Sequence, residues 1–77
     1  MLALYLNVHA DRELLTLRER QIVRLVAEGH TNKAIASILK VSVKTVETHR
    51  TAAMRKIGAK STADVTLYAV RNELLQI

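Results

Sequence analysis

No proline interrupts this chain, and its only glycines are Gly29 and Gly58. Proline removes a backbone donor and fixes φ, while glycine supplies the positive φ that tight turns need. A chain nearly free of both has few places to turn sharply, and nothing in it resembles hairpin turn chemistry. Abundant Ala, Leu, Val and Ile then favour helices packed on one another, because alanine and leucine are good helix formers. An all-α fold is predicted. With 77 residues there is material for one domain, and without cysteine no disulfide or thiolate metal site supplements its core.

Four helices can be placed from their punctuation. Thr16 followed by Glu19 has the spacing of a capping box, and Ile22, Val23, Leu25 and Val26 form an apolar stripe up to about Ala27, with Gly29 available for a left-handed end. Thr31 or Asn32 caps a second, two-turn helix reaching Leu39, with Ala34, Ile35, Ile38 and Leu39 facing inward. Lys40-Val41-Ser42 leaves room only for a tight turn, so helices two and three cross steeply as a helix-turn-helix. Helix three runs from Val43 to Ile57 and stops at Gly58. Ser61 and Asp64 repeat the cap spacing before a helix from Thr62 to about Asn72.

The formal charge is +5, and its location says more than its size. Residues 40–60 carry Lys40, Lys44, Arg50, Arg55, Lys56 and Lys60 against Glu47 alone, while bases and acids balance elsewhere. A localised basic segment suits a polyanion, since each phosphate neutralised releases condensed counterions; the plainer alternative is a solvated helix face. The only aromatics, Tyr5 and Tyr68, are too few for a base-stacking platform, so duplex DNA is a better match than single strands or RNA.

At roughly 100° per residue, Val46, Ala53 and Ile57 share the core side of helix three, with His49 and Arg50 flanking. Lys44, Thr48, Thr51 and Arg55 lie opposite, bordered by Glu47 and Ala52. Short residues such as Thr48 and Thr51 let the backbone approach base edges. Glu47 can accept from a cytosine amino group, or can pair within the helix with Lys44 or Arg50. Lys44, near the helix start, suits a phosphate.

Other chemistries find little support. His9, His30 and His49 share no ligand spacing, and Ser37, His49 and Asp64 lie in no nucleophile-elbow context, so no metal, cofactor or enzymatic activity is expected. No apolar run approaches the roughly 18 residues of a membrane span, and a cytoplasmic protein without membrane association is expected. Met1 to Ala10 is mostly apolar and uncharged, and residues 1–15 read as an extension or interdomain linker, leading to a helix-turn-helix domain over 16–77.

The strings Thr16-Leu17-Arg18-Glu19-Arg20, Ala27-Glu28-Gly29-His30-Thr31-Asn32-Lys33-Ala34-Ile35-Ala36, Val41-Ser42-Val43-Lys44-Thr45-Val46-Glu47-Thr48-His49-Arg50 and Met54-Arg55-Lys56-Ile57-Gly58, in this order, closely resemble the LuxR-type helix-turn-helix family. The segment Gly29 to Lys33 favours that family over a sigma-factor-like domain. The resemblance implies the DNA-binding output domain of a transcription regulator, commonly a two-component response regulator. Glu47, Thr48 and Thr51 match its base-facing positions. Asn32, Lys33, Lys44 and Thr45 match phosphate-backbone positions, and Arg50 and Lys56 are added to these. The fourth helix is implied to form a homodimer interface, here Leu67, Tyr68, Val70 and Arg71, and RNA polymerase is a further candidate partner. Two positions depart from the pattern: Ala34 stands where glutamate is common, and Lys40 where glycine is. A rival outside nucleic-acid binding is a helical module that contacts only other proteins, a reading that the salt dependence of binding separates from the first.

Overall fold

The structure, a computed structural model, describes residues 15–74. Among them are four helices and no strand: α1 (Leu17–Ala27), α2 (Asn32–Leu39), α3 (Val43–Ile57) and α4 (Thr62–Arg71). Each begins on a hydroxyl. Thr16, Thr31, Ser42 and Ser61 accept from the amides of Glu19 (3.1 Å), Ala34 (3.1 Å), Thr45 (3.0 Å) and Asp64 (3.3 Å), satisfying donors that a helix start leaves without partners. The reciprocal half of the cap varies with the residue available. Glu19 reaches back to the Thr16 amide at 2.9 Å, completing a capping box, whereas Ala34 has nothing to reach with. Asp64 takes the amide of Lys60 at 2.9 Å, one residue before the cap.

The helix ends also share a device. Gly29, Lys40, Gly58 and Glu73 have positive φ, and the residue after each donates five residues back: His30 to Leu25 (3.1 Å), Val41 to Ala36 (3.0 Å), Ala59 to Met54 (2.9 Å) and Leu74 to Ala69 (2.8 Å). This Schellman-type closure satisfies carbonyls that would otherwise be left over. At Gly29 nothing lies within 4 Å of where a Cβ would sit, so the preference for glycine is conformational rather than steric. Lys40, at φ 59° and ψ 46°, adopts the same region with a side chain.

Helix α1 is the hub, packing against α4 and α3, while α2 leans mainly on α3. The buried core is Leu15, Ile22, Val23, Val26, Ile35, Ala36, Val46, Ala53, Val65 and Ala69. Two placements differ from the periodicity reading. Ile38 is 49% exposed, while Ala36 is buried. The core-facing arc of α2 is centred near Leu39 and flanked by Ile35 and Ala36, which puts Ile38 about 110° round the helix. Leu15, assigned above to the extension, sits just before the cap of α1 and is 4% exposed in the core. Helix α4 ends at Arg71, with Asn72 as its cap. The reading of Met1 to Ala10 as linker, and of His9, falls outside the described residues.

One buried charge joins these helices. Glu19, 5% exposed, accepts from Lys56 Nζ at 2.8 Å with the same Oε1 that caps α1, fixing the first turn of α1 to the last turn of α3. Burial alone would raise the pKa of this carboxyl. The hydrogen bond from Lys56, the Thr16 amide and the Lys56 charge outweigh it and hold the value below the usual one. A lowered folded-state pKa means that the contribution is complete above the unfolded value, about 4.3, and is lost as pH falls through the folded value.

Glu19→Gln therefore flattens the acid limb of the stability curve below about pH 4.3. At neutral pH it costs on the order of 2 kcal/mol, less than a fully buried pair because the Lys56 side chain keeps 28% of its exposure. Urea titrations at several pH values read both effects, and an unchanged acid limb would remove Glu19 from the account. Lys40→Gly should raise the urea midpoint by the equivalent of about 1 kcal/mol without changing the slope, since it removes left-handed strain; no gain would mean that the lysine is unstrained there.

Candidate nucleic-acid interface

Helix α3 has two faces of different chemistry. Val46 and Ala53 are buried against the core, with Met54 and Ile57 packed beside them. On the far side Lys44, Glu47, Thr48, Thr51, Ala52 and Arg55 line one shallow, open depression. The six span an arc of about 140° along a helix roughly 22 Å long. Five are exposed and Ala52 is half-buried. Among the described residues, no hydrogen bond or ion pair engages the side chains of Lys44, Glu47, Thr51 or Arg55. The Thr48 hydroxyl donates to the Lys44 carbonyl at 3.0 Å, which fixes its rotamer and leaves its oxygen free to accept.

The structure thus brings four of the sequence-derived candidates, Lys44, Glu47, Thr48 and Thr51, onto one surface. Arg55 joins them. It was placed on this side by periodicity but not counted among the contacts, although it follows Thr51 by four residues, the spacing of neighbours on a helix face. Glu47 forms no pair with Lys44 or Arg50.

The remaining candidates sit differently. Lys33 is exposed in the first turn of α2. Thr45 shares a hydrogen bond of 2.9 Å with its own cap, Ser42. Lys56 is held by Glu19. Arg50 donates from Nη1 to Asn32 Oδ1 at 2.7 Å and from Nη2 to Thr62 Oγ1 at 3.1 Å, so its guanidinium and the Asn32 amide are engaged with each other. Both cations lie well round α3 from the open depression, Arg50 by about 130° and Lys56 by about 110° from its centre.

Helix α4 turns Val65 and Ala69 into the core. Leu67, 48% exposed, lies on the other side with exposed Ala63 and Arg71 and half-buried Val70. Leu67, Tyr68 and Arg71 also line an open groove with Ile57 and Gly58.

A basic-rimmed helix presented outward by a short α2 and a three-residue turn is the arrangement expected of a DNA-reading helix-turn-helix. The sequence pattern of the bacterial regulatory proteins, luxR family, matches residues 13–69, which takes in the buried Leu15, α1 to α3 and most of α4. The chain belongs to the LuxR family. It is also 47% identical over 70 residues to the oxygen regulatory protein NreC of Staphylococcus aureus strain bovine RF122 / ET3-1 and to that of strain MRSA252, covering 91% of this chain and 32% of each relative. The NreC of strain JH9 is 47% identical over 64 residues, 83% of this chain and 30% of the relative. The chain spans about a third of the length of these curated relatives. This is a LuxR-type helix-turn-helix DNA-binding domain, and its all-α architecture agrees with the family. Among the described residues, no helix is long and apolar enough to cross a membrane.

Proposed function

We propose that the chain is the output domain of a bacterial transcription regulator of the response-regulator type, binding duplex DNA sequence-specifically in the cytoplasm with α3 in the major groove. The observation that carries this reading is the outer face of α3, exposed, flanked by Lys44 and Arg55, and without a partner for either cation among the described residues. The name of the NreC relatives, oxygen regulatory protein, supports a regulatory role. Because they are about three times longer, residues 1–14 are proposed to lead from a signal-receiving domain into the DNA-binding unit.

Glu47, Thr48 and Thr51 are proposed to read base edges. Glu47 accepts from cytosine N4, and the two threonines present a hydroxyl and a methyl group at a helix surface low enough for close approach. Lys44, Lys33, Asn32 and Thr45 are proposed to meet phosphates, with Arg55 added from the structure. Lys56, bound to Glu19, is assigned to the fold instead.

The outer side of α4, with Leu67, Tyr68, Val70 and Arg71, is proposed to pair with a second copy. An exposed leucine beside Ala63 and Val70 favours an apolar partner, and a twofold pair of domains sets two recognition helices about one DNA turn, roughly 34 Å, apart. RNA polymerase is a further proposed partner.

Selection of bound duplexes from a random pool tests the whole reading, because half-site symmetry reports the dimer as well as the sequence. Lys44→Ala should weaken binding to every duplex alike, whereas Thr48→Ala or Glu47→Ala should change the preference at particular base pairs by roughly 1 to 3 kcal/mol for a good contact. Equal losses on all duplexes for the three variants would overturn this division of labour. Leu67→Glu should abolish cooperative occupancy of paired half-sites while sparing affinity for a single one; unaltered cooperativity in gel-shift titrations would move the interface elsewhere.

A further inference from the structure

The cluster formed by Arg50, Asn32 and Thr62 is unusual in joining three helices through one side chain. Asn32 is the first residue of α2 and Thr62 the first of α4, so a single guanidinium on α3 ties both helix starts to the recognition helix. Arg50 lines a small apolar space together with the core residues Ile22, Val26, Ala53 and Val65.

The chemistry of this contact fixes more than position. A guanidinium has donors only, so the Asn32 amide must present its oxygen to Arg50. Its NH2 group is thereby turned away. Among the described residues Nδ2 has no hydrogen-bond partner, and no buried side-chain nitrogen or oxygen lacks one, so Nδ2 is not buried. Without Arg50, the amide could rotate and offer either its acceptor or its donor.

We propose that Arg50 is a positioning residue for DNA binding: it orients the Asn32 side chain so that Nδ2 donates to a phosphate oxygen of the duplex. This rests on the DNA-binding reading above and changes the role of Arg50 from a phosphate ligand to the group that prepares one. Holding Thr62 with its other nitrogen, Arg50 also keeps the guanidinium plane, and with it the amide, from swinging.

The test is a double-mutant cycle on affinity for a random-sequence duplex of about 20 base pairs, across a range of salt concentrations. Arg50→Met, Asn32→Ala and the double variant are compared with the wild-type chain at a temperature where circular dichroism shows each to be fully folded. Each single variant should lose roughly tenfold in affinity, as for a charge-assisted hydrogen bond, and leave the log–log salt slope nearly unchanged, because a neutral amide donor releases no counterion. The double variant should lose no more than either single one. Additive losses would show that Arg50 and Asn32 contact DNA independently and would overturn the proposal, as would an Arg50→Met slope reduced by about 0.9, the mark of a cation that itself neutralises a phosphate. A second readout is independent of variant stability: the Asn32 side-chain NH2 resonances of the wild-type chain should shift on adding duplex, and static resonances overturn the proposal. If the wild-type chain shows no salt-dependent duplex binding, the DNA-binding reading fails and takes this one with it; additive losses leave that reading standing.

Discussion

A single carboxylate sets the relation between the scaffold and the reading helix. Glu19 is the only charged side chain buried among the described residues, and both of its bonds are structural: one closes the start of α1, the other holds Lys56 in the last turn of α3. Apolar packing of α3 through Val46 and Ala53, with Met54 and Ile57 beside them, is not directional and by itself tolerates small rolls of this 15-residue helix about its axis. The Glu19–Lys56 pair at one end and the Arg50 contacts in the middle supply directional constraints that apolar packing lacks. The proposed recognition depends on this, since a helix rolled by one residue, about 100°, would present a different set of side chains outward.

The same economy explains the small core. It has no aromatic residue, and its largest fully buried side chains are Ile22, Ile35, Val23, Val46 and Val65. Each contributes on the order of 1.5–3 kcal/mol relative to exposure, so a domain of this length relies on caps and turn closures more than a larger one would. All four described helices have a hydroxyl cap and a left-handed closure, yet only α1 completes a capping box, and α2, the shortest, closes on lysine. The shortest helix, closed on a residue with a side chain in the left-handed region, is therefore also the one that supports the turn before α3.

Much of this was legible before the fold was known. Helix limits followed from Thr16, Thr31, Ser42 and Ser61 with Gly29 and Gly58, since caps and left-handed closures are local devices whose residues advertise them. The two faces of α3 followed from its period. What escaped was decided by tertiary contact. Nothing local marks Glu73 as left-handed, nor sends Lys56 back to Glu19 across 37 positions. Arg50 and Lys56 look, in sequence, like any bases in a basic segment; only the packing of α1, α2 and α4 around α3 distinguishes them from Lys44 and Arg55. Ile38 was misplaced for a related reason, because a helix as short as α2 samples too few turns for its period to define the buried arc.

That distinction bears on how the charge works. Of the six bases in residues 40–60, Arg50 and Lys56 are bound within the protein, leaving Lys40, Lys44, Arg55 and Lys60 with their cationic groups uncommitted among the described residues. Counterion release counts phosphates neutralised rather than formal charge, so this segment contributes at most about four such contacts per domain. Engaged cations serve differently: confined by hydrogen bonds, they lose no further side-chain freedom when DNA arrives, and they hold the free ones in register. On the proposed reading, affinity comes from a few exposed bases, and specificity from how rigidly the others fix the face on which Thr48 and Thr51 stand.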